Sequence, residues 1–571
     1  MTEGAGLVRT RKRLVLIGSL KALLLFFLLL RLADIQLVKG ARLHAFALKQ
    51  QIEKVVLNPE RGNIYDRDGR ALAVSVLGSS VAAYPRLIKD SSSTARTLSS
   101  ILEVPTGSIL ADLTSRSDFV WVARKIEDKR AGKIKALHLT GIDVIQEPTG
   151  KRIYPKLTLA SHVLGFAGID EQGLAGIEYA YDRTLRGAPG YLITEADLFG
   201  RAIPGAKGSL RPSKSGNSLI LTLDETIQYV AERELARAIR KYGAKSGTAI
   251  VMEPRTGDVL AFANLPGFDC QNFSKSRQSV LRNRGITDSY EPGSVLKAVL
   301  IAAALDKGAV SLHDSFFCGS SILVDGWRIR NADDGLDSPS GREDLDGILT
   351  YSYNVGAVGV GLRLGSQSYH HALTRFGFGK TTGVDLPGEA AGTLPSLSEW
   401  KLCNLATISF GHGISVTPIQ VVKAFGIIAN QGRTMKPRLV RALAGKNGEA
   451  VETFVPSPGP RVITEETSRQ VTRMLVHVVE KGTGKSARVK GYTVAGKTGT
   501  AQVIREGRYV PGKYVASFVG FVPAEAPRLV ILVKIDEPAG VYWGGVVAAP
   551  VFREIATEAL WRLGVPTSDQ L

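Results

Sequence analysis

Ser294-Val-Leu-Lys-Ala-Val-Leu-Ile-Ala-Ala-Ala-Leu-Asp-Lys-Gly308, entered through Glu291-Pro292-Gly293, is the stretch that organises the chain. A Pro/Gly entry, a nearly unbroken apolar run and a glycine stop predict a helix buried almost all round. Ser294 and Lys297, three residues apart, share one face of it, with about 5–6 Å between Cβ atoms. Hydroxyl and amine can meet there. A serine hydroxyl is a poor nucleophile until a base takes its proton. A lysine acts as that base only when neutral, so its pKa must fall from about 10.4 toward 7, a change of about 4 kcal/mol. Burial and a second nearby cation both push it that way.

Two further signals follow in order. Ser352-Tyr-Asn354 lies in GILTYSYNVGAVGVGLRLG, where a short polar loop precedes a small-residue helix. From such a loop a hydroxyl can pass a proton to a leaving amine while an amide holds a peptide backbone. Lys497-Thr498-Gly499-Thr500 follows Val494-Ala495-Gly496 and reads as a strand on which Lys497 faces inward. There Gly499 leaves room for a substrate backbone, and lysine and threonine suit a carboxylate. Backbone N–H groups of Ser294 and Thr500 are candidates for an oxyanion hole. The chain contains its own decoys, Ser398-Glu-Trp-Lys401 and Ser215-Gly-Asn217. Ser398 follows Leu394-Pro395 in a polar segment and reads as a solvated surface serine.

At 571 residues the chain is too long for one core, and two or three domains are expected. Residues 1–13 are basic, with Arg9, Arg11, Lys12 and Arg13, and Leu14 to Val38 is long and apolar enough to span a bilayer. The basic flank keeps the N-terminus in the cytoplasm and puts the bulk of the chain on the periplasmic side of an inner membrane. Ala45-Phe-Ala47 lies too far downstream to be a cleavage site, which favours an uncleaved anchor. The net charge of +19 is scattered without an aromatic-interleaved patch. It points to anionic lipid and acidic wall polymer rather than nucleic acid. Cys270, Cys318 and Cys403 form no C-x-x-C, the eight histidines show no H-x-x-x-H spacing, and no metal or cofactor is called for.

Residues 39–210 mix short strands and helices, including an Asp66-Arg67-Asp68-Gly69 turn, and end in the Gly/Pro/Ser/Lys-rich linker LFGRAIPGAKGSLRPSKSGNS. Residues 211–566 form the second domain. It opens with a strand, an Asp224 cap and an amphipathic helix, followed by a hairpin about Arg255-Thr256-Gly257. It ends in three consecutive strands and the helix APVFREIATEALWRL. That order fits an α+β domain with an antiparallel sheet between helical layers. Gly482-Thr483-Gly484-Lys485-Ser486 imitates a phosphate loop, but Val479 stands where the first glycine is required.

The three motifs in this order resemble those of the penicillin-recognising serine acyl-transferases. RGNIYDRDGRALAVS, RIYPKLTLASHVLGFAG, GLAGIEYAYDRTLRGAPG, RNRGITDSYEPGSVLKAV, ISFGHGISVTPIQVVKAFGIIANQG and VAGKTGTAQ extend the likeness over most of residues 60–550. Together they resemble class B penicillin-binding proteins, and the surroundings of Ser294 and SFGHG are most similar to the division-septum (FtsI-type, penicillin-binding protein 3) group. The resemblance implies a serine β-lactamase-like transpeptidase domain behind a pedestal of the dimerisation type and one transmembrane helix. It implies a D,D-transpeptidase that cross-links stem peptides and is acylated by β-lactams, working with an FtsW-type glycosyltransferase of the shape-and-division polymerase family and with other division proteins. Ser294 would attack D-Ala-D-Ala, Lys297 act as base, Ser352 and Asn354 relay protons and clamp substrate, and Lys497, Thr498 and Thr500 anchor the carboxylate. Tyr353 has no assigned role, and His412 reads as structural. The rivals are an elongation-class transpeptidase, a D,D-carboxypeptidase and a compact β-lactamase, and outside enzymes a membrane-tethered scaffold or β-lactam sensor.

Overall fold

The computed structural model describes residues 3–43, 46, 52–195, 209–332, 341–445 and 448–570. The linker residues 196–208 lie outside the described residues, and the expected boundary at 210/211 falls within the strand Ser209–Arg211. Helix α1 (Glu3–Ala33) continues through a π-helical turn to Val38. Leu7–Val38 is long and apolar enough to cross a membrane, and its leucines and phenylalanines are exposed along its length.

The chain divides into two compact units, residues 1–59 with 188–214 and residues 60–187 with 215–571. In the first, strand Gly190–Glu195 pairs antiparallel with both Ile52–Leu57 and Ser209–Arg211.

The second unit is built on a five-stranded antiparallel sheet. Its strands are β1 (Ser246–Met252), β2 (Val259–Leu265), β3 (Ala495–Arg505), β4 (Arg508–Val522) and β5 (Leu529–Asp536), in the order β2-β1-β5-β4-β3. Both faces are covered, so the inner strands Ser246–Met252 and Leu529–Asp536 are buried nearly throughout and mostly apolar instead of alternating. Ala249, Val533 and Phe518 stand in register and join a core formed with α2 (Glu225–Lys241) and α7 (Ala549–Arg562). The next row, Ile250, Leu532 and Val519, faces the other core. That core holds α3 (Leu296–Asp306), α4 (Asn354–Leu364), α5 (Pro418–Ala429) and α6 (Glu465–Glu480). The Asp224 side chain caps α2 by accepting from the N–H groups of Thr226 and Ile227, as expected. Thr417, Pro418 and Gln420 start α5 with a capping box.

A larger sheet runs from strand Ala450–Thr453 through Val440–Ala444, Ser218–Leu221, Ile64–Tyr65 and Ala71–Ala83 to Val120–Ile126, with Ile142–Ile153 also paired to Ala71–Ala83. Strands from both sequence segments of this unit, 60–187 and 215–571, therefore share backbone hydrogen bonds. Beside them Glu178, fully buried, receives Arg61 and Arg152, each at 2.7 Å. All three cysteines are unpaired, so the one disulfide left open by the sequence does not form.

Candidate functional site

The helix predicted to open at Ser294 begins two residues later. Gly293–Val295 is a 3-10 turn, and α3 starts at Leu296. Gly293 takes φ +57 and donates its N–H to Gly411 O at 3.1 Å, a tight entry that a regular α-turn would not provide. Because i and i+3 eclipse in a 3-10 turn, Ser294 and Lys297 remain on one side. Ser294 is half-buried, and Lys297 is completely buried.

The Lys297 amine reaches the second motif. Its Nζ donates to Ser352 O at 2.5 Å and to Asn354 Oδ1 at 2.7 Å, and lies 3.3 Å from Ser352 Oγ. Ser352 holds φ +63, a conformation costing a non-glycine residue about 1–3 kcal/mol. The strain turns both its carbonyl and its hydroxyl toward the lysines. Asn354 opens α4 and donates its amide to Arg330 O at 3.0 Å. The glycines of α4 explain its seating: a Cβ on Gly361 would lie 1.9 Å from Ser409 Oγ, and one on Gly356 2.6 Å from Cys318 Sγ.

The third motif lies on β3, the edge strand of the sheet. Lys497, also completely buried, places its Nζ 3.0 Å from Ser352 Oγ and 3.3 Å from Thr498 Oγ1. One hydroxyl thus sits between two lysine amines drawn from elements 200 residues apart in sequence (297 and 497). Thr500 Oγ1 accepts Gly544 N–H at 3.2 Å. The space beside Gly499 is already taken, since a Cβ there would meet Ser517 Oγ at 2.4 Å, Val295 Cγ2 at 2.8 Å and Pro292 O at 3.0 Å. Its missing side chain lets β3 press on the Ser294 turn. A cleft of about 620 Å³ is lined by Ser294, Ser352, Asn354, Thr498 and Thr500. A larger one, about 970 Å³, lies along α6 and the β4–β5 turn and contains none of the motif residues.

Residues 247–557 match the family profile of the penicillin binding protein transpeptidase domain, and residues 56–221 match that of the penicillin-binding protein dimerisation domain. The chain belongs to the penicillin-binding proteins. It is 36% identical to the stage V sporulation protein D of Bacillus subtilis over 99% of this chain and 88% of that protein. It is 34% identical to the peptidoglycan D,D-transpeptidase FtsI of Escherichia coli over 95% of this chain and 90% of that protein. Among solved structures it is similar to penicillin binding protein 3 of Mycobacterium tuberculosis complexed with aztreonam. That match has a TM-score of 0.68 and 28% identity, covering 90% of this chain and 98% of that one. These likenesses identify a class B penicillin-binding protein with the expected two-domain α+β fold.

In this penicillin-binding protein the decoy Ser398 is exposed on a short 3-10 turn whose cap is Ser396. Other cleft residues had been passed over. Thr483 pairs its hydroxyl with that of Thr498 at 2.8 Å, and Lys485 and Ser486 line the same wall. The segment dismissed as a false phosphate loop therefore borders the cleft, and its glycines were the available signal. Tyr514 and Tyr542 stack at 3.9 Å, with Trp543 against Tyr542 at 4.9 Å, and all three line the cleft. Tyr542 and Trp543 are neighbours in sequence, but nothing local brings Tyr514 to them. His412, read as structural, lines the cleft as well, and burial followed by the Lys297 charge pushes its pKa down to about 4.

Proposed function

We propose that Ser294 is the nucleophile of a peptidoglycan D,D-transpeptidase that cross-links stem peptides during septal wall synthesis and is acylated by β-lactams. The observation that carries this reading is the convergence of the Lys297 and Lys497 amines on Ser352 Oγ beside a cleft that Ser294 lines. A neutral Lys297 has two N–H bonds, which Ser352 O and Asn354 Oδ1 accept, and its lone pair takes the Ser294 proton. Ser294 Oγ bonds to the penultimate D-Ala carbonyl, with Ser294 and Thr500 N–H groups stabilising the oxyanion. The peptide C–N bond breaks, and the proton moves from Lys297 through Ser352 to the departing D-alanine nitrogen. Lys497, Thr498 and Thr500 hold the terminal carboxylate, with Gly499 allowing the strand's close approach. An acceptor amine from a second stem peptide attacks the ester, loses its proton by the same path and regenerates Ser294.

Residues 1–13 are assigned to the cytoplasm, 14–38 to the membrane, 39–210 to the pedestal and 211–566 to the transpeptidase domain. The catalytic domain then works in the periplasm beside an FtsW-type glycosyltransferase. The length and apolarity of Leu7–Val38 support this arrangement. The test is exchange of the terminal D-alanine of a pentapeptide donor for a labelled D-amino acid by the full-length protein in detergent. Exchange that stops in Ser294→Ala supports the assignment; exchange that continues in that variant rejects it.

A further inference from the structure

The residues just before Ser294 are gripped by the segment that follows α3's distant partner turn at Gly411. Tyr290 and Val416 exchange both backbone hydrogen bonds, at 3.0 and 2.9 Å, and Gly293 N–H reaches Gly411 O at 3.1 Å. Between these ties sits the carboxylate of Glu291, which is 7% exposed and accepts Gly413 N–H at 2.7 Å. The same carboxylate accepts the Tyr509 hydroxyl, 3.1 and 3.3 Å from its two oxygens.

Tyr509 comes from the outer end of the β3–β4 hairpin, whose residues Ile504–Tyr509 and Pro511–Lys513 are exposed. Arg505 to Glu537 is a second side-chain tie at that end. Lower on the same hairpin, Gln502 and Tyr514 line the cleft, so the hairpin's lean sets the position of one cleft wall.

His412 completes the group. Its Nδ1 is 3.4 Å from the Tyr509 hydroxyl and 3.7 Å from Glu291 Oε2. The Glu291 carboxylate accepts the tyrosine O–H, so the tyrosine oxygen in turn accepts Nδ1–H from a neutral imidazole, leaving Nε2 with its lone pair. The charged and titratable groups bearing on this cluster are Glu291, His412 and Tyr509 themselves and Lys297; burial first, with Lys297 second, lowers the His412 pKa.

We propose that Glu291, Tyr509 and His412 form a latch that holds the outer β3–β4 hairpin and the Gly411–Gly413 turn against the Ser294 turn. Glu291 and Tyr509 are then positioning residues for acylation. The inference rests on Ser294 being the nucleophile. Stopped-flow acylation of the full-length protein by a chromogenic β-lactam, with the non-covalent binding constant and the acylation rate resolved, tests it alongside hydrogen exchange of residues 503–513.

Tyr509→Phe keeps the ring and should slow the acylation step by about tenfold, the effect of losing one hydrogen bond to a charged group. Binding constant and Tm should stay at wild-type values while the hairpin exchanges faster. Glu291→Gln, which keeps an acceptor oxygen, should fall between wild type and Glu291→Ala. Tyr509→Phe should add nothing in a Glu291→Ala background, or in Glu291→Gln should the alanine variant fail to fold. Wild-type acylation and exchange in Tyr509→Phe, or losses that multiply independently, would overturn the latch. Acylation persisting in Ser294→Ala rejects the nucleophile instead, and hairpin exchange then judges the latch separately.

Discussion

Ser352 is the residue on which the site turns. Its positive φ is tolerated because Lys297 takes its carbonyl and both lysines reach its hydroxyl. Ser352→Ala keeps the carbonyl contact but removes the bridge between the two amines. Acylation measured with a chromogenic β-lactam should fall by about 10²–10³ with little change in Tm. Gly499→Ala tests packing. Its Cβ would press on Ser517, Val295 and Pro292, costing about 1–3 kcal/mol in thermal unfolding and slowing acylation by displacing the Ser294 turn. Ser294, Lys297, Ser352 and Asn354 were legible in sequence because each pair is held by local spacing. Thr483, Tyr542 and Glu291 were not, because their meaning depends on contacts to Thr498, Tyr514 and Gly413, far along the chain.

Among elements, the strands of the central sheet and the long helices were readable from apolar runs and caps, since both faces of the sheet are covered and Asp224 marks the start of α2. The 3-10 entry to α3 was not, because it follows from Gly293 meeting Gly411 across the fold. The short helix Ser161–Leu164 shows the same dependence on tertiary context. His162, 6% exposed, donates Nε2–H to Val280 O at 2.7 Å, and burial lowers its pKa to about 4. A histidine held neutral in the fold but free to protonate when unfolded makes stability fall as pH drops from about 6.5 to 4. His162→Gln, which can also donate to Val280 O, should flatten the stability–pH profile across that window. An unchanged slope in denaturant titrations would show that His162 does not set it.

Across the whole second unit, the shared sheet ties residues 60–187 to residues 215–571 by backbone hydrogen bonds. The sequence showed the strands but not that Ile64–Tyr65 pairs in parallel with Ser218–Leu221, a contact between segments far apart in the chain. Calorimetry should therefore give one cooperative transition for this unit rather than separate pedestal and catalytic melts. Burial alone would raise the Glu178 pKa, but Arg152 and Arg61 overcome it and hold the carboxyl below its usual range. Its contribution is present above the unfolded carboxyl pKa, about 4.3, and is lost as pH falls through the lower folded value. Glu178→Ala leaves two buried guanidiniums and should cost about 3–5 kcal/mol in that same transition.

The central claim is that Ser294 is acylated in a cleft served by two buried lysines. Peptide mass mapping after penicillin treatment tests it most directly. A covalent adduct should appear on the peptide containing Ser294 and none in a folded Ser294→Ala protein; an adduct on another residue, or one that survives the substitution, would overturn the assignment.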